Sequence, residues 1–310
     1  MKLLIVIPCY NEQAMLPQTF VRLHHLCEQL KHDASIDTQL LFVDDGSADD
    51  TWALIAQEAL NHQHVSGIRL ARNVGHQSAL WAGMEQAHGH CDCMVSIDAD
   101  LQDDETAIVD MVQRWREGAD IVYGVRSERK TDTWFKRNSA QAFYWFMQLM
   151  DTRTLYNHAD FRLLSARALD ALLQYPERNL FLRGMVRQLG FNEATVYYKR
   201  TERAAGESKY PLARMLRFSV DGITSFSTAP LRWITYLGLL MTCISIVMIV
   251  FALVRYFSGQ TITGWTSLLV SLWFIGGVVT TGIGITGIYV GKIYLEVKHR
   301  PRYFIADKTN

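Results

Sequence analysis

The chain has 310 residues, of which 49% are hydrophobic and 20% charged, a composition that excludes a disordered or low-complexity protein. Its 31 Lys and Arg residues balance its 31 Asp and Glu residues. This balance argues against a general nucleic-acid-binding protein, which usually carries a basic excess. At about 150 residues per domain, the length has room for two domains at most.

The first 125 or so residues alternate between short apolar runs rich in β-branched residues and segments with apolar residues at helical spacing. The predicted strands are Lys2–Pro8, Leu40–Val43, Val65–Leu70, Met94–Ile97 and Ile121–Gly124. The predicted helices are Glu12–Lys31, Asp49–Asn61, Gln77–Ala87 and Glu105–Glu117. Such alternation predicts an α/β fold with a mostly parallel sheet and helices on both faces.

Polar residues follow several of these strands, at the edge of the sheet where α/β proteins bind their ligands. They are Tyr10, Asn11 and Glu12 after the first strand, Asp44 and Asp45 after the second, Asp98 and Asp100 after the fourth, and Arg126 after the fifth. Carboxylates with nearby arginines suit a divalent cation, Mg²⁺ or Mn²⁺, that bridges phosphates. The sequence has no Gly-x-Gly-x-x-Gly after its first strand and no P-loop motif, which disfavours a dinucleotide oxidoreductase and a P-loop NTPase.

Taken singly, several of these motifs have simpler interpretations. Asp44 to Ser47 could be an ordinary strand-to-helix turn with a capping residue, and the carboxylates of Asp98 and Asp100 could be solvated in a loop. Arg178 and Arg183 could be partners of Asp160 or surface charges. The histidines form no arrangement typical of a general base, so we expect them to be structural or exposed.

The apolar run at the N-terminus is too short for a secretory signal peptide, so we expect the N-terminal part to be cytoplasmic. In that reducing compartment the five cysteines are expected to be free thiols. The cluster of His and Cys from His88 to Cys93 lacks a second ligand pair at zinc spacing, and we interpret it as a helix-to-strand turn.

Near the C-terminus, Asp, Glu, Lys and Arg are absent from 233–254 and again from 256–291. Two apolar segments, about 231–254 and 265–290, are each long enough to span a bilayer and predict a transmembrane hairpin. Basic residues outside the hairpin place both termini in the cytoplasm: Arg214, Arg217 and Arg232 precede it, and Lys292, Lys298, Arg300 and Arg302 follow it. Glycines in the second segment permit close helix packing and a possible homo-oligomer.

Seven motifs occur in order along the chain: Val6–Glu12, Val43–Ser47, Arg72–Gly75, Asp98–Asp103, Asp160–Leu163, Gly206–Tyr210 and Arg300–Phe304. Together with the hairpin they resemble the polyprenyl-phosphate branch of the family 2 inverting glycosyltransferases, which have the GT-A fold. The resemblance covers essentially the whole chain. It is closest to bacterial bactoprenol (undecaprenyl-phosphate) glucosyltransferases, and dolichyl-phosphate mannose synthases are more distant relatives.

The resemblance implies a cytoplasmic GT-A domain over 1–210, an interfacial helix over 211–230, two transmembrane helices within 231–291, and a basic cytoplasmic tail over 292–310. A second interfacial amphipathic helix is expected over 134–150. The alternative for both interfacial segments is that their apolar faces pack on the sheet.

The resemblance also implies a role for each matching residue. Asp160, Asp100 and Arg126 would be catalytic, and Asp100 and Gln102 would hold the metal. The nucleotide sugar would be bound by Pro8, Tyr10, Glu12, Val43, Asp44, Asp45, Asp98, Ala99, Arg203 and Lys209. Arg126 and Arg137 would bind the acceptor phosphate. Whether Asp160 abstracts a proton or orients the reactants stays open.

The activity implied is metal-dependent transfer of a hexose, glucose from UDP-glucose in the first instance, to undecaprenyl phosphate at the bacterial inner membrane. The product would supply cell-envelope glycan modification through a flippase and a glycosyltransferase on the opposite face. Alternatives are another donor, such as GDP-mannose, UDP-GlcNAc or a UDP-aminoarabinose, and a non-enzymatic membrane protein that binds nucleotide sugars. A processive synthase is disfavoured because the chain lacks a Gln-x-x-Arg-Trp motif.

Overall fold

A computed structural model describes residues 1–100, 102–126, 158–178, 180–199, 227–258 and 264–309. The described residues fall into two units. The first contains residues 1–126, 158–199 and 300–309, and the second contains 227–299. The predicted interfacial segments, 134–150 and most of 211–230, lie outside the described residues, as do Arg137, Arg203 and Lys209.

The first unit is built on a sheet of eight strands. The strands are β1 (Lys2–Cys9), β2 (Asp37–Asp44), β3 (Val65–Leu70), β4 (Cys93–Ser96), β5 (Ile121–Arg126), β6 (His158–Ser165), β7 (Glu193–Tyr198) and β8 (Ile305–Lys308). Their spatial order is β7-β5-β6-β4-β1-β2-β3-β8. All neighbouring pairs are parallel except those of β6 with β4 and β5 and that of β8 with β3. The sheet is therefore mostly parallel, as predicted.

Helices in this unit lie between the strands along the chain. They are α1 (Leu16–Ala34), α2 (Thr51–Asn61), α3 (His76–Ala87), α4 (Ala107–Arg116), α5 (Ala166–Leu173) and α6 (Leu182–Gln188). The apolar residues spaced along α1, from Leu16 to Leu30, are buried against β1 and β2 in the main core. The predicted α/β fold is confirmed, and the first five strands and first four helices lie close to their predicted positions. Helix α1 begins four residues later than predicted, because residues 12–15 form a turn and Pro17 lies in the first helical turn.

The C-terminal end of the chain completes the sheet. Strand β8 pairs with the edge strand β3, and the Thr309 hydroxyl accepts a hydrogen bond of 2.8 Å from the Gly67 amide. The Arg302 guanidinium lies 4.2 Å from the centre of the Trp81 ring and donates to the carbonyl oxygen of Glu177 at 2.6 Å. The segment predicted as a basic tail thus contains a strand that the sequence analysis missed, since four residues are too few for a clear alternating pattern.

The second unit contains two long apolar helices, α7 (Ala229–Phe257) and α8 (Trp265–Val297). Residues early in α7 meet residues late in α8, so the helices are antiparallel. A β-carbon added to Gly282 would lie 3.3 Å from the Ile234 side chain, and the Tyr289 hydroxyl donates to the carbonyl oxygen of Ser227, just before α7.

Both predicted apolar segments lie within these helices, and α8 continues seven residues beyond the predicted end. The stretches Ala229–Met248 and Phe274–Val297 are long and apolar enough to cross a membrane, and almost none of their residues is buried within the protein. Long helices with exposed apolar side chains are typical of membrane association.

Candidate active site

A cavity of about 240 Å³ opens at the carboxyl ends of β1, β2 and β4. Seven residues expected at the site line it: Pro8, Tyr10, Glu12, Asp45, Asp98, Ala99 and Asp100. Cys9, Asn73, Gly75, His76 and Ala79 complete the lining. The structure therefore brings together motifs from four separate parts of the sequence, because parallel strands end at the same edge of the sheet.

One wall of the cavity is held by hydrogen bonds to the backbone. The Asp45 carboxylate accepts bonds from the amides of Val74 and Gly75 at 2.8 and 3.0 Å, which fixes the loop 72–75 against the end of β2. Burial raises the pKa of the Asp45 carboxyl, although these two amides oppose the shift. Gly46 has φ of +66°, and a β-carbon there would lie 2.6 Å from the Arg72 carbonyl carbon. Asp45 and Gly46 therefore allow the loop after β2 to pack closely against the loop 72–75.

The loop after β1 is joined to the same wall. The Asn11 amide donates to the Ser47 hydroxyl at 2.9 Å, and the Asn11 side chain accepts from the Ala48 amide at 3.0 Å. The Glu12 amide donates to the Thr51 hydroxyl at 2.9 Å. These bonds explain why the Asn-Glu and Asp-Gly-Ser motifs occur together. A side chain of each motif accepts a hydrogen bond from a backbone amide of the loop that contains the other.

Val43 and Asp44, expected to bind the nucleotide sugar, are fully buried and are not among the residues that line the described cavity. Val43 packs near Gly83 of α3. One Asp44 oxygen accepts a hydrogen bond from the Ser47 amide at 3.0 Å, and the other lies 3.4 Å from Arg69 Nε. Asp44 therefore stabilises the turn after β2, which matches the simpler of its two interpretations.

Asp98 and Asp100 present carboxylates to the cavity from the loop after β4. The carbonyl oxygen of the residue between them, Ala99, accepts a hydrogen bond of 2.9 Å from Thr19 on α1. Burial and the nearby charges of Asp160, Asp103 and Asp100 raise the pKa of Asp98 to about 6, against the opposing charge of His76.

This crowding of carboxylates fits a divalent cation. Oxygen ligands are the ones that Mg²⁺ and Mn²⁺ prefer, and a cation at Asp100 would relieve the repulsion that Asp98 experiences. Gln102, the second expected ligand, is largely buried and is not among the residues that line the cavity. Its backbone amide donates a hydrogen bond to the Asp100 carboxylate at 3.2 Å. The positions of these two side chains thus support Asp100 as a metal ligand more directly than Gln102.

Arg126, at the end of β5, is held by two partners. Its Nε donates to the Tyr198 hydroxyl at 3.2 Å, and its Nη2 lies 3.4 Å from an Asp103 oxygen. Tyr198 in turn donates to the same Asp103 oxygen at 2.6 Å, and burial together with that carboxylate raises the pKa of Tyr198. Asp103 therefore positions the partly exposed Arg126, both directly and through Tyr198.

Asp160, at the start of β6, is the centre of a buried charge network. Its carboxylate pairs with Arg162, which is completely buried, and with Arg183, whose Nε and Nη2 each lie 3.2 Å from one of its oxygens. Burial alone would raise the pKa of Asp160, but a hydrogen bond from His76 and the charges of the two arginines hold it well below its ordinary value. The carboxylate is therefore ionised at neutral pH and surrounded by donors. Of the two arginines left open by the sequence, Arg183 is the one placed against Asp160.

His76 is exposed, in keeping with the expectation for the histidines, but it was not expected to line the site. Its Nε2 lies 3.5 Å from an Asp160 oxygen and 3.7 Å from an Asp98 oxygen. Burial would lower the pKa of His76, but the hydrogen bond to Asp160 and the charge of Asp98 raise it. Its position at the end of the loop after β3, the same edge as the other motifs, is the sequence signal that could have identified it.

Gln77 joins this network to α6. Its side-chain nitrogen Nε2 lies 3.3 Å from an Asp160 oxygen, and its side-chain oxygen Oε1 accepts a hydrogen bond from the Leu182 backbone amide at 3.0 Å. Arg162 also donates to the Leu182 carbonyl oxygen, at 3.2 Å. No local pattern in the sequence links these positions, because the contacts join three elements that are far apart along the chain.

The arrangement combines a cavity lined by the Asp98 and Asp100 carboxylates with positively charged groups around the fixed carboxylate of Asp160. Residues 4–215 match the family described as Glycosyl transferase family 2. The chain belongs to this family. Its activity is that of a glycosyltransferase, and the predicted GT-A fold and enzyme class are confirmed.

Curated relatives extend the similarity over the whole chain. The chain is 50% identical to the uncharacterised glycosyltransferase YkoT of Bacillus subtilis over 98% of its own length and 90% of the relative. It is 39% identical to the bactoprenol glucosyl transferase of Shigella phage SfV, over 99% of each chain. Among solved structures, the mannosyltransferase PcManGT of Pyrobaculum calidifontis, in complex with GDP-Man and Mn²⁺, is similar with a TM-score of 0.51 and 13% identity. That match covers 94% of this chain and 84% of the other, and it supports the fold alone.

Proposed function

We propose that this glycosyltransferase transfers glucose from UDP-glucose to undecaprenyl phosphate (bactoprenol phosphate) at the cytoplasmic face of the bacterial inner membrane. The observation that carries the proposal is the similarity to a bactoprenol glucosyl transferase, at 39% identity over 99% of both chains. The match includes the two apolar helices as well as the catalytic domain, and a lipid acceptor requires such a membrane-facing part. A donor other than UDP-glucose and a non-enzymatic sugar-nucleotide-binding role are less well supported.

The reaction would be a single in-line displacement. An oxygen of the acceptor phosphate attacks the anomeric carbon while the bond from that carbon to the UDP oxygen breaks, and the configuration inverts to give a β-linked lipid phosphosugar. The second pKa of a phosphate monoester is about 6, so the acceptor is largely dianionic at neutral pH. It therefore carries no proton that must be removed before it attacks.

That property of the acceptor bears on Asp160. A carboxylate with a lowered pKa that is engaged by Arg162, Arg183 and His76 is a weak proton acceptor. We therefore assign Asp160 an orienting role: it holds Arg183 and His76 in place beside the cavity. Both side chains are partly exposed and can attract the negative charges of the two substrates.

The remaining residues follow from their positions. We assign Pro8, Tyr10, Glu12 and Asp45, which line the cavity, to the nucleoside, and Asp98 and Ala99, which also line it, to the remainder of the sugar nucleotide. Asp100, with Gln102, would hold Mg²⁺ or Mn²⁺, which when bound neutralises charge on the leaving diphosphate. Arg126, positioned by Tyr198 and Asp103, would bind a phosphate. Arg137, Arg203 and Lys209 are proposed as further phosphate ligands on the basis of the family resemblance.

The sheet supports a membrane topology. Strands β7 and β8 belong to one sheet, and both apolar helices lie between them along the chain. If both helices span the bilayer, the chain crosses it twice and returns to the side on which it started. Both termini therefore lie on the same side, and Lys and Arg residues flanking the helices place that side in the cytoplasm. The lipid-linked product would then be used by a flippase and by a glycosyltransferase on the opposite face.

The test is a transfer assay with the purified full-length protein, undecaprenyl phosphate, Mn²⁺ or Mg²⁺, and a series of nucleotide sugars. We expect a lipid-linked hexose phosphate from UDP-glucose, identified by mass. If a different nucleotide sugar is the efficient donor, the glucose assignment is wrong. If none of them gives a lipid-linked product, the proposed function is wrong.

The metal ligand is tested in the same assay with Asp100→Asn. Because charge neutralisation by a metal contributes several kcal/mol to such a reaction, we expect the variant to lose about 100-fold or more of its activity. Asp110→Asn, an exposed carboxylate on α4, is the matched control and should keep full activity. Full activity of Asp100→Asn would remove this residue from the metal site.

A further inference from the structure

Three histidines and a glutamate meet at the amino end of β3, on the edge of the sheet opposite the active-site cavity. They come from three elements: His24 from α1, Glu58 from α2, and His62 and His64 from the connection between α2 and β3. From the sequence we expect the histidines to be structural or exposed, and their spacing along the chain does not identify this cluster. Nothing in the proposed transfer reaction uses it.

The ring nitrogens of the three histidines converge. One nitrogen from each ring lies within 4.8 Å of those of the other two. His24 Nδ1 is 2.8 Å from His64 Nε2, and the rings of His24 and His62 have their centres 4.3 Å apart. Neutral imidazole is the commonest metal ligand in proteins, and three ring nitrogens this close to one another can share one ion.

Glu58 lies where a metal-binding histidine would need a carboxylate. His24 Nε2 is 2.7 Å from the Glu58 carboxylate, while His24 Nδ1 points to His64. With Nε2 donating its proton to Glu58, the Nδ1 lone pair of His24 is directed toward His64 Nε2. This carboxylate–histidine pairing fixes the tautomer of metal-binding histidines in many proteins.

The backbone around the cluster is fixed as well. The His62 amide donates to the Glu58 carbonyl oxygen at 3.0 Å at the end of α2, and the His64 carbonyl oxygen accepts from the Leu40 amide of β2 at 2.8 Å. The Val65 amide donates to the His62 carbonyl oxygen at 3.0 Å. Two of the three histidines are therefore carried by hydrogen-bonded backbone, and ligand binding would order few additional residues.

The surroundings of His64 favour its unprotonated ring. Burial lowers the pKa of His64, and the neighbouring His24 and His62 lower it further, against the charges of Glu58 and Asp37. A neutral imidazole is the form that binds a metal ion. His64 is thus favoured in the form that a metal ion binds.

We propose that His24, His62 and His64 form a binding site for a divalent transition-metal ion such as Zn²⁺, with Glu58 as the carboxylate that orients His24. Three imidazoles with an open fourth position are a common zinc ligand set. The donors are nitrogens, whereas the expected cation at Asp100 would have oxygen donors, so the two sites select different metals.

Binding requires a modest rearrangement. At a Zn–N distance of about 2.0–2.1 Å, two tetrahedral nitrogen ligands lie about 3.3 Å apart. His24 and His64 would separate slightly from their present 2.8 Å, and the wider pairs would close. The His62 side chain is 44% exposed, and its Nε2, now 3.4 Å from the Glu58 carboxylate, would turn toward the others.

The experiment uses the full-length protein in detergent, stripped with a chelator and titrated with Zn²⁺ in competition with a chromophoric chelator. We expect the wild type to bind one equivalent more than the H24A/H64A double variant. E58Q should keep the site and bind about 10–100-fold more weakly, as for other carboxylates that orient metal-bound histidines. Because Zn²⁺ would bind the folded state, it should also raise the Tm of the wild type and leave that of the double variant unchanged.

Matched controls separate this site from others on the chain. H25A changes the neighbouring exposed histidine on α1 and should bind like the wild type, as should C91A. If the double variant binds as much zinc as the wild type, the proposal is wrong. H62A changes an exposed side chain and tests the site without disturbing the core, and unchanged zinc affinity in this variant would equally overturn the three-histidine site.

Discussion

The two walls of the active-site cavity are built in different ways. The wall formed by the ends of β1 and β2 is held by backbone hydrogen bonds, with Asp45 binding two amides of the loop 72–75. The wall that contains His76 and the residues after β4 is held by charged side chains behind it, with Asp160 paired to Arg162 and Arg183 and close to His76. Both walls contain buried carboxylates, but their partners differ.

This difference predicts how each wall responds to change. A carboxylate bound by backbone amides has partners that cannot be removed by substitution or titration, so that wall is a fixed frame. A carboxylate bound by arginines and a histidine depends on every member of its network, and the loss of one leaves a buried charge unbalanced. The charged wall should therefore be the more sensitive to substitution and to pH.

Asp160→Asn should have the largest effect. The substitution leaves the fully buried Arg162 without its anionic partner, and breaking a buried pair in this way costs about 3–5 kcal/mol. We expect the free energy of unfolding, measured by urea denaturation in detergent, to fall by about that amount, together with loss of transferase activity.

Asp170→Asn is the control for this experiment. Its carboxylate pairs with His88 at 3.0 Å, and both side chains are more than half exposed. Such a pair contributes at most about 1 kcal/mol. If Asp160→Asn is no less stable than this control, the buried network does not hold the charged wall.

Gly46→Ala tests the backbone-held wall and should have an intermediate effect. The added β-carbon would lie 2.6 Å from the Arg72 carbonyl carbon, at a residue whose φ is +66°. We expect a loss of about 1–3 kcal/mol in stability. Displacement of the loop 72–75 should raise the KM for the nucleotide sugar more than it lowers kcat, because Asn73 and Gly75 of this loop line the cavity and are not among the described residues that bind the Asp160 carboxylate.

Gly89→Ala separates backbone strain from the contact between the loops. Gly89 has φ of +74°, and nothing lies within 4 Å of its added β-carbon. This variant should lose some stability and keep the KM of the wild type. An equal rise in KM in both variants would show that Gly46 acts through general stability and not through the loop.

The sequence predicted the backbone-held wall better than the charged one. Its motifs are local: Asn11 and Glu12 follow one strand, Asp45 and Gly46 follow the next, and the rule that parallel strands end at one edge brings them together. Even there, the individual role of Asp44 could not be predicted, because adjacent aspartates in one motif point in different directions. Asp44 is buried at the turn and Asp45 lines the cavity.

The charged wall could be predicted only in part. Asp98, Asp100 and Asp160 belong to recognisable motifs, whereas His76, Gln77 and Arg183 reach the site through tertiary packing of α3 and α6 against β6. Strand β8 was missed for a similar reason. Its pairing with β3 joins residues more than 230 positions apart, and four exposed residues carry no clear hydrophobic period.

His76→Gln should have the smallest effect, and a pH dependence distinguishes it. The pKa of His76 is raised in the folded protein, because Asp160 and Asp98 favour the charged ring more than burial and Arg183 oppose it. The resulting stability is fully present below the unfolded-state pKa of about 6.5 and is lost as the pH rises through the higher folded-state value. With a ring that is 40% exposed, the contribution should be below about 1 kcal/mol.

The measurement compares the unfolding free energies of wild type and His76→Gln, without metal or substrate, at several pH values from about 6 upward. The difference should be largest at the acidic end, where His76 is protonated and Asp160 remains ionised, and should shrink as the ring loses its proton. A difference that stays constant with pH would mean that the ring contributes by packing alone. Asp160 would then be stabilised by Arg162 and Arg183 without a contribution from the charge of His76. The difference between the two walls would rest on these three residues alone.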